Sequence, residues 1–188
     1  MQTIESSILR AAVDEKDAQL VNFVSQHNQI DYFKDGDSQK KLGIAFMGDD
    51  QGENWAELLP WTVVDKGDAR VSLALIDDSA SYKRFPYHFE AILSYILEGN
   101  RVTIKYYLKN NSHKEMPFSV LFTLPISNGW TESENVNEIE LSKKDVTIKL
   151  ASTNFDLAIK NKQIVAMLDK AKLDGDSDVE LTLTLTLS

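Results

Sequence analysis

The chain of 188 residues contains no cysteine. Disulfide frameworks and thiolate chemistry are therefore excluded. Histidine is scarce as well: His27, His88 and His113 are dispersed, and none is spaced from another as metal ligands on one element are. No metal and no cofactor are expected. No apolar run approaches the roughly 18 residues of a membrane span. The opening MQTIESSILRAAVDEKD lacks the basic start and apolar stretch of a signal peptide. A cytoplasmic protein with no membrane partner is the expectation. Basic residues are outnumbered, 20 Lys and Arg against 29 Asp and Glu, for a net charge of -9. Such a surface repels phosphate backbones, so nucleic acid is not an expected partner. The acidity serves solubility.

Apolar residues make up 43% of the chain, ample for a sizeable core. One domain over residues 1–188 is expected for this length. The clearest pattern runs from Arg84 to Ile126. Phe85, Tyr87, Phe89, Ala91, Leu93, Tyr95 and Leu97 alternate with polar or smaller neighbours, the period of two of a strand. Glu98-Gly99-Asn100 supplies turn residues. Val102, Ile104, Tyr106 and Leu108 resume the alternation, Asn110-Asn111-Ser112 turns the chain again, and Phe118, Val120, Phe122 and Leu124 mark a third strand. Val179, Leu181, Leu183, Leu185 and Leu187 alternate with Glu and Thr in a last strand.

The remaining segments predict further strands over Ile4–Val13, Asp17–Ser25, Ile30–Phe33, Leu42–Met47, Leu59–Asp65, Arg70–Asp77, Val136–Leu141, Val146–Leu150, Phe155–Ile159 and Ile164–Leu168. Ile4, Ile8, Ala11 and Ala12 also share one helical face, an alternative that Ser6-Ser7 weakens. Gly48 to Asn54 is expected to be a polar loop. About a dozen strands with little helix must close on themselves to bury one face of each. The predicted fold is all-β, an antiparallel β-sandwich. Tyr95, Val102, Ile104, Tyr106, Phe118, Val120 and Leu183 are its predicted core.

The organising stretch resembles a known family. Phe85-Pro86-Tyr87-His88-Phe89, Tyr95-Ile96-Leu97-Glu98-Gly99-Asn100 and Met116-Pro117-Phe118-Ser119 are similar to central strands of the aldose 1-epimerase (galactose mutarotase) family. The resemblance implies a galactose mutarotase-like supersandwich in a chain shorter than a full member. It also implies a sugar as small-molecule partner. Mutarotation needs a base at the anomeric hydroxyl and an acid at the ring oxygen. By the resemblance, the acid histidine's position is held by Leu124, ahead of Pro125. A second histidine and an arginine of the family are replaced in Glu53-Asn54-Trp55-Ala56-Glu57. The late-strand carboxylate base would fall near Asp169.

The catalytic candidates are therefore Glu53, His88 and Asp169. Each has a plainer reading: Glu53 in an acidic loop, His88 on a sheet face, Asp169 shifted off register. Trp55, Glu57 and Trp130 are the substrate-binding candidates, because aromatic faces stack on the C–H faces of sugars. Trp61, amid Leu59, Val63 and Val64, reads as core. Asp35-Gly36-Asp37 and Asp174-Gly175-Asp176 read as turns, since neither continues into a calcium-ligand pattern. Two functions follow: a carbohydrate-binding protein with weak or no mutarotase activity, or a non-catalytic protein- or peptide-interaction module on the same fold.

Overall fold

The computed structural model describes residues 1–48 and 52–188. Asp49, Asp50 and Gln51, part of the expected polar loop, lie outside the described residues. The chain opens with β1 (Gln2–Glu5), β2 (Leu9–Val13) and β3 (Leu20–Ser25), a three-stranded antiparallel sheet. The single strand expected over Ile4–Val13 is thus two strands. Ser6 makes the break: its hydroxyl accepts from the Ile8 and Leu9 N–H groups and donates to the Gly99 carbonyl at 2.7 Å. A short hairpin follows, β4 (Lys34–Asp35) and β5 (Ser38–Gln39). Ile30–Phe33, expected as a strand, is a turn pinned by the Asp31 side chain, which leaves only an isolated bridge between Val24 and Asp31.

Next come β6 (Gly43–Met47), the one-turn helix α1 (Trp55–Leu58), β7 (Trp61–Lys66) and β8 (Arg70–Ile76). The strand expected from Phe85 begins only at Phe89, and ahead of Phe85 the chain forms helix α2 (Ser79–Arg84). Asp78 caps it, accepting from the Ser81 N–H at 2.7 Å while the Ser81 hydroxyl accepts from the Asp78 N–H. The three long strands then run as β9 (Phe89–Glu98), β10 (Arg101–Asn110) and β11 (Met116–Pro125). The chain closes with β12 (Thr131–Asn135), β13 (Glu138–Lys143), β14 (Val146–Ala151), β15 (Asp156–Lys160), β16 (Gln163–Leu173) and β17 (Asp178–Leu187).

An eight-stranded antiparallel sheet takes the order β12-β13-β14-β17-β10-β9-β8-β7, and a four-stranded sheet the order β15-β16-β11-β6. The two meet through aromatic side chains. Phe46 of β6 packs edge to face on Phe89 of β9, ring centroids 5.2 Å apart, and lies 6.1 Å from Tyr106 of β10. The seven predicted core residues are all buried, at most 3% exposed. One continuous apolar cluster joins Ile4 near one end of the chain to Leu187 near the other. Among the described residues no helix is long and apolar enough to cross a membrane.

Candidate functional site

The position that the resemblance gives to the acid is closed. Leu124 belongs to the inward register of β11 and is 3% exposed. An alkyl side chain in the core can neither donate a proton nor meet a sugar oxygen.

The candidates around α1 form a packed cluster. The Asn54 carboxamide oxygen accepts from the Ala56 N–H at 3.1 Å, capping the helix, and from the Phe46 N–H at 3.0 Å, which ties the helix to the edge of β6. Trp55 faces inward at 3% exposure, with Phe85 stacked on it at 6.2 Å and 27°. Phe85 in turn lies flat against Gly48, where a Cβ would sit only 2.2 Å from the ring. Trp55 is therefore no sugar platform, which corrects its sequence-based role; its ring is wall material between α1 and α2. The Arg84 guanidinium lies 5.5 Å from the same ring and pairs with Glu53 Oε1. Glu53 Oε2 is buried without a hydrogen-bond partner among the described residues. Glu57 is exposed on α1 and makes no side-chain hydrogen bond among the described residues. The two glutamates are thus not assembled as an acid–base pair.

His88 is exposed beside α2. Its Nδ1 lies 2.8 Å from Asp77 Oδ2, and its ring stacks on Tyr82 at 4.6 Å. Asp77 Oδ1 meanwhile accepts from the Phe89 N–H at 2.9 Å, so the carboxylate anchors the start of β9. Asp169 is exposed at a β-bulge between β11 and β16. It accepts from the Ser119 hydroxyl at 3.1 Å, and that hydroxyl accepts from the Lys170 N–H at 2.9 Å. Both carboxylates of this pair of sites serve local backbone geometry. No cluster of three or more metal-ligating side chains occurs among the described residues.

Trp130 has the exposure that Trp55 lacks. It is half-buried, reached through Gly129 at φ +86°, a conformation that favours glycine. Tyr32 meets it edge to face, centroids 6.3 Å apart, and Lys143 Nζ lies 5.9 Å over the ring. These residues line a cleft of about 410 Å³ between the Asn28–Asp35 turn, the Ser127–Trp130 loop and the β13–β14 turn. Its rim is polar. Asp31 is fixed there: Oδ1 accepts from the Phe23 and Phe33 N–H groups at 3.1 and 3.0 Å, and Oδ2 accepts from the Gln39 and Asn22 amides. Asn28 donates to Tyr32 Oη at 3.2 Å. Of the binding candidates only Trp130 lines this cleft among the described residues, and Tyr32, Asp31 and Lys143 beside it are not singled out by the sequence. The available signal was the DYFKDGD run, aromatics among polar turn residues, which was partly assigned to a strand.

Residues 50–125 match the family model for aldose 1-epimerase. Over that stretch the chain is similar to aldose 1-epimerase. The matched stretch carries all three motifs quoted above and ends at Pro125, next to Leu124. The fold agrees with it. A galactose mutarotase-like protein from Lactobacillus casei superposes with a TM-score of 0.82 at 17% identity, covering 100% of both chains. A galactose mutarotase related enzyme from Lactobacillus acidophilus gives 0.72 at 11% identity, covering 99% of this chain and 96% of that one. A galactose mutarotase-like protein from Clostridium acetobutylicum gives 0.68 at 12%, covering 99% and 94%. At these identities the likeness is one of fold, on which function is a separate question. No curated protein matches the chain.

Proposed function

We propose that this aldose 1-epimerase-like chain binds carbohydrate in the Tyr32–Trp130 cleft and has little or no mutarotase activity. The observation that carries the reading is the half-buried Trp130 ring, walled by Tyr32 and rimmed by Asp31, Lys34 and Asn28. A sugar has C–H faces and a hydroxylated edge. An aromatic platform with a polar rim matches both, and a volume of about 300–1,000 Å³ is usual for small-molecule sites. Against catalysis stand Leu124 in the core and Glu53 held by Arg84. A cytoplasmic location is part of the proposal, since a chain without cysteine has no need of an oxidising compartment.

Calorimetric titration with galactose, glucose and their disaccharides tests the binding. Saturable binding by the parent protein that Trp130→Ala abolishes is the expected result. Equal binding by both proteins would remove the cleft from the account.

A second reading, a protein- or peptide-interaction module, is favoured by one observation. Met167, Leu121 and Ala45 lie in one row across β16, β11 and β6, on the face turned away from the core, and each is half-buried. An apolar row on an outer sheet face suits a peptide better than a sugar. Leu121→Lys, with sugar binding as the control, separates the two readings.

A further inference from the structure

The Tyr32–Trp130 cleft does not end at Asp31. Asp31 and Lys34 also line a second, open groove of about 640 Å³ that runs over the outer face of the β1-β2-β3 sheet. The strand register explains its make-up. Thr3, Ala12 and Asn22 form one cross-strand row and Glu5, Arg10 and Val24 the next. Side chains of these rows point to one face, so small Ala12 and Val24 leave room between Arg10 and Asn22.

The hydrogen-bond inventory of the groove identifies the ligand class. The Asn22 and Gln39 amide nitrogens are committed, both to Asp31 Oδ2 and the latter also to the Val21 carbonyl at 2.7 Å. Their oxygens, Asn22 Oδ1 and Gln39 Oε1, make no hydrogen bond among the described residues. Arg10 and Lys34 likewise make no ion pair or side-chain hydrogen bond there, leaving a guanidinium and an ammonium as free donors. Fixed acceptors thus stand beside free donors. A hydroxyl is both donor and acceptor and satisfies such a mixed set; a phosphate or sulfate, acceptor only, would face the two amide oxygens and the Asp31 carboxylate. Vicinal hydroxyls on a neutral sugar ring fit.

We propose that the cleft and the groove are one extended site for a neutral oligosaccharide, with one ring on Trp130 and the next on Arg10, Asn22 and Gln39. This rests on the carbohydrate reading of the cleft and adds a second subsite to it. Asp31 is the shared wall, rigid because four hydrogen bonds hold it.

Tryptophan fluorescence gives the readout, because Trp55 and Trp61 are only 3% and 9% exposed whereas Trp130 lines the cleft. The probes are gluco- and galacto-oligosaccharides of one to four units. Affinity is expected to rise about tenfold from monosaccharide to trisaccharide, the gain two or three new hydrogen bonds provide. Arg10→Ala is expected to erase that gain and leave the monosaccharide constant unchanged, and Asn22→Ala, which also removes one of the four hydrogen bonds on Asp31, is expected to erase the gain, with far-UV spectra confirming the fold. Equal affinities for one and three units in the parent protein would overturn the second subsite and leave the Trp130 subsite standing. An Arg10→Ala and an Asn22→Ala protein that both keep the gain would do the same. No Trp130 response to any probe would overturn the cleft reading and this one together.

Discussion

Tyr32 meets Trp130 edge to face, with ring centroids 6.3 Å apart and planes at 75°. The pair links the turn after β3 to the loop before β12, two segments distant in sequence that together make one wall and one floor. Edge-to-face aromatic pairs contribute about 0.5–1.5 kcal/mol beyond their buried area. Tyr32→Ala is therefore expected to lower stability by about that amount plus part of the ring's burial, and to weaken sugar binding. Unfolding midpoint and titration on the same variant check it. Unaltered sugar affinity would show that Tyr32 is packing alone.

Asn110 is expected to matter far more for stability than its place at a strand end suggests. It is fully buried, donates to the Lys114 carbonyl at 2.8 Å and the Leu173 carbonyl at 3.0 Å, and accepts from the Ser112 N–H at 3.0 Å. It thus holds the β10–β11 turn against the β16–β17 turn. An orphaned buried polar group costs about 1–3 kcal/mol. Asn110→Ala, which orphans several, should cost about 3 kcal/mol or more, read as a lower denaturant midpoint with an unchanged slope. A midpoint within error of the parent would contradict this account of the two turns.

Phe118, 3% exposed, packs in the inward register of β11 beside the bulge opposite Asp169 and Lys170. Phe118→Ala should cost about 3–5 kcal/mol through lost burial and the cavity left behind. Chemical denaturation measures it, and an unchanged midpoint would mean that the strand can slip its register.

The exposed His113–Asp176 pair predicts a pH effect of definite sign. The Asp176 carboxylate, 2.7 Å from the ring, raises the His113 pKa above the ordinary 6.5, first through the hydrogen bond and then through its charge. Because the folded-state pKa is the higher one, the pair's contribution is complete below about 6.5. It is lost as pH rises through the folded-state value. Both side chains are open to solvent, so salt should weaken the effect. Asp176→Asn keeps a residue that tolerates the φ of +59° at this position. An NMR titration should show His113 titrating lower in that variant and in high salt. Identical titrations would contradict the pairing.

Much of the fold could be read from residue order because β9, β10, β11 and β17 are regular. Their alternation is unbroken, each has one buried face, and period two then decides burial residue by residue. Irregular places were not legible for equally physical reasons. Ser6 splits the first strand by capping two N–H groups that only a folded turn brings to its hydroxyl. The Asp78–Ser81 capping box starts α2, but a helix of six residues is too short to show a helical period in the sequence. Asp31 makes a turn of an apolar segment by collecting two N–H groups and two amides. The candidate site was legible in part. Trp55 and Trp130 both follow polar loops and look alike in sequence. What separates them is Phe85 and Arg84, which arrive from α2 and cover Trp55. Among the described residues no comparable element covers Trp130, and its partner Tyr32 sits too far along the chain to be inferred.

On the proposed reading, a mutarotase-like fold carries a binding cleft in place of an acid–base site. The most direct measurement is polarimetry of α-galactose and α-glucose, with and without the protein, at neutral pH. General acid–base groups are worth about 10²–10⁴-fold each. With Leu124 buried and Glu53 paired to Arg84, anomer interconversion should proceed at the uncatalysed rate. Protein-dependent acceleration of several orders of magnitude would contradict the claim and return His88, with Asp77 behind it, and Asp169 to the list of acid–base groups.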